Sequence, residues 1–216
     1  MLRNGCIGDA AHWQVETPCG FSELETLCLQ VLGPVQRAFP ALGSTETTMA
    51  SRLLIEQLRS DHLAELATEL RHPAVYEYIG GVPTLHDFVL DRERALRGPS
   101  QANDAQLWLN FLVREHSSGA MLGRVEATVH DSIAEVAFLF GPPHWGRGYA
   151  LEALAWLHEE IDRRCGVRNL WATTVPTNVR CQSLLRRSGY TEVRTGAPPL
   201  LSFDSGDLVF NLRRSA

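Results

Sequence analysis

At 216 residues, 44% of them hydrophobic, the chain is long enough to bury the core of one ordinary domain. A formal charge of −5 argues against a dedicated nucleic-acid binder, and no apolar run approaches the ~18 residues that a membrane span needs. All 20 basic residues are arginine, so a phosphate-loop lysine, a Schiff-base lysine and a kinase-type lysine are excluded together.

The five cysteines, Cys6, Cys19, Cys28, Cys165 and Cys181, are odd in number and form no CxxC pair. Neither a disulfide framework nor a zinc site is expected. The N-terminus lacks a basic region followed by an apolar core, which fits a cytoplasmic protein. Residues 1–48 read as an N-terminal extension of unknown role, and residues 49–216 as the functional domain. Met49 is an alternative start. The extension holds one amphipathic candidate, beginning at Ser22 with Glu25 as capping-box partner and placing Leu24, Leu27, Cys28, Val31 and Leu32 on one face before Gly33-Pro34. That helix packs either on its own domain or against a second copy in a homodimer.

From residue 49 the pattern tightens. "SRLLIEQL" reads as a strand, and "SDHLAELATEL" as a helix capped by Ser60 with Leu63, Leu66 and Leu70 inward. Residues 71–83 are an irregular Pro/Gly stretch. A second helix starts at Thr84, has Asp87 three residues on, and stops at Gly98-Pro99. Strands at 106–114, 120–129 and 133–140 follow, joined by turns short enough to require antiparallel hairpins. Next come a helix to about residue 164, the strand "NLWATTV", a helix over about 177–188, and strands near 190–194 and 206–213. The order β-α-α-β-β-β-α-β-α-β-β implies an α/β fold with a mixed sheet and helices laid on it.

Between the third hairpin strand and its helix lies "HWGRGYA". Ala150, Leu154, Leu157 and Ile161 recur at helical spacing, so the first turn falls on Arg147-Gly148-Tyr149. Its N–H groups lack intrahelical partners and, with the helix dipole, form an anion site that glycine lets a phosphate approach closely. The dinucleotide motif GxGxxG is broken by Leu151, and GxxxxGK[ST] lacks its lysine. The cradle also follows antiparallel hairpins, whereas a dinucleotide fold places it after the first strand of a parallel unit.

"AEVAFLFGPPHWGRGYALEAL" followed by "TTVPTNVRCQSLLRRSGY" closely resembles the GNAT acyl-CoA N-acetyltransferases, in particular their RimJ/RimL-like branch of ribosomal-protein N-terminal acetyltransferases. The resemblance covers roughly residues 49–213. It implies a mixed, mostly antiparallel, twisted sheet with helices on both faces and a splayed cofactor cleft, and acetyl-CoA as donor. Backbone groups of Phe138, Leu139 and Phe140 would lie along the pantetheine arm, Trp145, Gly146, Arg147, Gly148, Tyr149 and Ala150 would hold the diphosphate, and Asn178 would hydrogen-bond the pantetheine. From the residues themselves, Arg180, Arg186 and Arg187 are candidates to meet the adenosine 3′-phosphate, against a solvated helix face, and His144 is a candidate phosphate contact, against an idle loop histidine. Two positions depart from the family: its serine is Cys181 here, and the tyrosine many relatives use as general acid is Leu185.

The implied activity is acetyl transfer to a primary amine, on a protein N-terminus or a small molecule, by direct attack in a ternary complex. The alternative is a non-catalytic acyl-CoA-binding module. Glu135, at a position where some family members carry a catalytic glutamate, is the candidate base; pointing to solvent or pairing with an arginine is the competing reading. Glu126 is the reserve, and Ser183 a candidate partner for the leaving thiolate. Tyr76, Glu77 and Tyr78 are candidate acceptor contacts, against ordinary loop packing. No metal, nucleic acid or membrane is expected as a partner.

Overall fold

A computed structural model describes residues 48–49, 52–100 and 105–215. The N-terminal candidate helix lies outside them. Eight strands among the described residues form one sheet: β1 (Thr48–Met49), β2 (Leu53–Gln57), β3 (Leu107–Glu115), β4 (Met121–His130), β5 (Ile133–Phe140), β6 (Asn169–Thr174), β7 (Thr191–Val193) and β8 (Leu208–Arg213). The helices are α1 (Leu63–Leu70), α2 (Leu85–Arg97), α3 (Tyr149–Cys165) and α4 (Val179–Arg187). Strand order is β1-β2-β3-β4-β5-β6-β8-β7, antiparallel throughout except for β5 beside β6.

Period-2 alternation along β5 sorts side chains to two cores. Ala134, Val136, Phe138 and Phe140 join Leu154, Leu157 and Ile161 of α3 and Leu185 of α4. On the opposite face Leu139 packs with Leu66 and Leu70 of α1 and Phe88 of α2. Further along that face, Ile133 packs with Trp171 and Val209 against Leu200 of the β7–β8 connection. Helices on both faces are what the GNAT resemblance implied.

Helix starts follow local chemistry. Thr84 caps α2, accepting the Asp87 N–H at 3.1 Å while its hydroxyl donates back to Asp87 at 2.7 Å. Asn178 caps α4 through the Cys181 N–H at 3.0 Å. The first helix differs from expectation. Residues Ser60–His62 form a tight 3-10 turn and Ser60 makes no cap. The Arg59 N–H donates to His62 Nδ1 instead, and α1 begins one turn later.

Candidate active site

The site arises where the sheet comes apart. β5 and β6 pair only at Ala134↔Leu170 and Glu135↔Trp171. Beyond those residues the strands diverge, so the β6-side edge of residues 136–140 faces a cleft. On the other side β5 is held hard against β4. Gly123 stands opposite Phe140 at φ 156°, and a Cβ there would meet the Leu139 carbonyl oxygen at 2.1 Å, so only glycine permits this approach. The chain then turns through Pro142–His144, and the Trp145 indole donates to the Phe140 carbonyl at 2.7 Å, tying the turn to the strand end. Gly148, left-handed at φ 85°, is the N-cap of α3. The first turn of that helix therefore opens at the mouth of the cleft with unpartnered amides.

The cleft has a volume of about 450 Å³. Phe138 and Phe140 form one wall; Trp145, Gly146, Gly148, Tyr149 and Ala150 form the cradle end; Asn178, Ser183 and Arg187 come from α4 and its cap. The end of β5, the turn into α3 and the more distant α4 thus bring most of the expected cofactor residues together. Asn178 is buried and its side-chain oxygen is engaged in the α4 cap. Leu139 points to the opposite core. Arg147 stands outside the lining, with its guanidinium 5.2 Å from the centre of the Tyr149 ring. The Tyr149 hydroxyl donates to Glu115, which raises the phenol's pKa and lowers that of the carboxylate.

The expected acceptor residues separate. Tyr78 lines the cleft. Tyr76 is 8% exposed and packs in the α1–α2 core, where burial raises its pKa, and Glu77 is an exposed residue that hydrogen-bonds Tyr78. Tyr76 and Glu77 do not line the cleft, because the irregular segment buries one side chain and turns the other outward.

The two carboxylates also lie elsewhere. Glu126 accepts from Arg92 at 3.0 Å and from Arg124, within a buried cluster on the α2 face. Glu135 is 5% exposed and saturated. Its oxygens accept the Leu201 N–H at 2.7 Å, the Ser202 N–H at 2.9 Å, the Ser202 hydroxyl at 2.5 Å and His130 Nε2 at 2.7 Å. It points neither to solvent nor to an arginine; in this arrangement it pins the β7–β8 connection to the sheet instead of facing the cleft.

Three further side chains border the cleft or its cradle. His144 Nε2 lies 3.1 Å from Glu69 of α1. Arg180 stacks 4.0 Å from the centre of the Trp145 ring. Arg52, the residue before β2, reaches the cradle through the Arg147 carbonyl, to which it donates at 3.1 Å. Each contact joins segments far apart in sequence, where periodicity carries no signal.

A sequence profile described as "Acetyltransferase (GNAT) domain" matches residues 52–191. The chain belongs to the GNAT acetyltransferases. Among curated sequences no relative matches it. Solved GNAT structures share its fold. An acetyl transferase from Salmonella typhimurium, described as modifying the N-terminal serine of a 50S ribosomal subunit protein, is 14% identical with a TM-score of 0.63, covering 77% of this chain and 97% of that one. A GNAT-family acetyltransferase from Bacillus anthracis is 17% identical with a TM-score of 0.61, covering 77% and 98%. An aminoglycoside acetyltransferase in complex with coenzyme A is 16% identical with a TM-score of 0.60, covering 75% and 95%.

The site fits the family's acyl-CoA donor. A Cβ at Gly146 would meet nothing within 4 Å, so space lies open beside the cradle backbone. The first-turn amides of α3 and the long apolar wall of Phe138 and Phe140 match a diphosphate joined to an extended, weakly polar arm, and Arg187 lines the same cleft.

Proposed function

We propose that this GNAT enzyme transfers acetyl from acetyl-CoA to a primary amine, with the α-amino group of a peptide as first acceptor and a small-molecule amine as second, and that it belongs with the ribosomal-protein N-terminal acetyltransferases. The observation that carries the acyl-donor half is the divergence of β5 from β6 directly above the α3 N-terminus. The acceptor half is supported by "WGRGYALEA" and "NVRCQSLLRRSGY", which resemble that branch's paired segments apart from Cys181 at its serine and Tyr190 at its phenylalanine, and by the Salmonella structure of like fold. Residues 49–216 are the catalytic domain in this reading, and residues 1–48 an extension. No helix among the described residues is long and apolar enough to cross a membrane, and the cytoplasm is the proposed location.

Acetyl-CoA supplies an activated acyl group as a thioester. The protein's share is alignment and electrostatics. Amides of residues 148–150 hold the diphosphate, Arg187 meets the adenosine 3′-phosphate, the free edge of 136–140 orients the arm, and a backbone N–H near Leu139 or Phe140 stabilises the oxyanion. A thiol pKa near ~8.5 lets the thiolate leave without a dedicated acid, which accommodates Leu185, fully buried where many relatives carry tyrosine. Ser183 lines the cleft, and in this reading its hydroxyl donates to that sulfur. An α-amine with a pKa near ~8 is partly neutral at physiological pH, so it needs less help from a base than a lysine side chain with its ~10.4.

The experiment is an acceptor screen with labelled acetyl-CoA over peptides of varied N-terminal residue and a panel of small amines. Because the chain has no lysine, amide-linked label in the protein itself is limited to its own N-terminus, and thioester label on its cysteines is removed with hydroxylamine. Turnover of peptides blocked at the α-amine, or of no amine in the panel, would defeat the proposal.

A further inference from the structure

Arg52 and Glu152 lie 100 residues apart in sequence and are joined twice. The Arg52 N–H donates to Glu152 Oε1 at 2.9 Å and its Nε to Oε2 at 3.0 Å. The same guanidinium donates from Nη1 to the Arg147 carbonyl at 3.1 Å, and its Nη2 lies 3.2 Å from the point a Cβ on Gly148 would occupy. It also sits 4.9 Å from the centre of the Tyr149 ring. One side chain therefore bonds Arg147, lies beside Gly148 and stacks near Tyr149 while holding the carboxylate of the first turn of α3.

That carboxylate is an electrostatic liability. An acidic side chain in a helix's first turn is favoured by the helix dipole, but here the same positive end is needed for a diphosphate. Left to itself, Glu152 would be drawn to those amides and would repel the phosphates. Arg52 engages both of its oxygens and offsets its charge.

Resting on the acetyl-CoA reading above, we infer that Arg52 is a positioning residue for the coenzyme diphosphate, acting by fixing the Arg147-Gly148 backbone and by holding Glu152 away from the α3 N-terminus. It touches neither donor nor acceptor in this role, so it governs affinity for the diphosphate and not the acyl-transfer step.

The test uses the full chain and two probes, CoA and S-acetylpantetheine, which keeps the arm but lacks the diphosphate. Binding is read by the fluorescence of the protein's tryptophans, since Trp145 lines the cleft. Arg52→Gln is expected to weaken CoA binding by about tenfold, in line with the loss of one charge-assisted contact at a helix terminus, and to leave S-acetylpantetheine affinity within about twofold. Arg52→Gln/Glu152→Gln is expected to recover most of the loss, because the competing carboxylate is gone. Glu152→Gln alone, which keeps the contact to Arg147, is expected to bind CoA at least as well as the unaltered protein, and it serves as the measurement if Arg52 variants fold poorly.

Equal loss for both probes in Arg52→Gln, no loss for either, or weakened CoA binding in Glu152→Gln would overturn the inference. Failure of the unaltered protein to bind CoA would instead overturn the donor reading on which it rests.

Discussion

His130 Nε2 lies 2.7 Å from Glu135 Oε1, and the same imidazole meets Asp131 through Nδ1 at 3.0 Å. Burial disfavours its charge, yet the two carboxylates outweigh that and hold the His130 pKa above its ordinary value. A histidine pKa raised by folding gives stability that is full below the unfolded value of about 6.5 and lost as pH rises through the higher folded value. Denaturant unfolding between pH 6 and 9 should show a decline of at most about 1 kcal/mol, limited by solvent screening at exposed Asp131. His130→Gln should flatten it. An unchanged slope in that variant would show that the pair is not what titrates.

His158 gives the opposite slope on the acid side. Burial lowers its pKa to about 4, keeping it neutral to accept the Tyr190 hydroxyl at 2.8 Å. The unfolded chain binds this proton below about 6.5 and the folded one only near 4, so stability should fall by up to about 3 kcal/mol as pH drops across that window. Tyr190→Phe should cost about 1–3 kcal/mol at neutral pH by stranding a buried acceptor. It should also make the acid slope shallower, and urea midpoints in this range measure both effects.

Glu135→Gln separates pinning from proton transfer. The amide offers an NH₂ to donors that now meet carboxylate oxygen, so the variant should lose about 2–4 kcal/mol of stability, with amide exchange rising at Leu201 and Ser202. Turnover of an α-amine acceptor, corrected for folded fraction, should remain within about tenfold of the unaltered protein. A loss beyond about a hundredfold with an unshifted melting temperature would make Glu135 the base after all.

Gly123→Ala drives a methyl into the Leu139 carbonyl. Something in β5 must move, and about 2–4 kcal/mol of destabilisation is expected. Because the displaced residues border the cleft, KM for acetyl-CoA should rise together with the loss of stability. A rise in neither would mean that β4 yields instead of β5.

The fold was legible wherever it depends on neighbours in sequence. Alternation along 133–140 separated Phe138 and Phe140 from Leu139, and the glycines of "HWGRGYA" marked the helix start that the structure places at Gly148. The boundaries of β7 and β8 followed too, though not the insertion of β8 between β6 and β7. What stayed hidden depends on segments without periodicity folding back on the sheet. The carboxylate of Glu135 is covered by residues 66 and 67 positions later, and Arg52 finds Glu152 a hundred residues on. Tyr76 shows the same limit, since its burial comes from α1 and α2 meeting above it.

The two-pair junction between β5 and β6 leaves the sheet with a seam. Peptide groups along that seam have no neighbouring strand to meet, and an extended arm bearing amides would be the piece that closes it. The donor would then act as mortar as well as reagent. At a concentration a hundred times its dissociation constant it should add about 2.7 kcal/mol to the resistance against unfolding. Slowed exchange should concentrate in the amides of 136–140, so that the loaded protein breathes less along this line than the bare one.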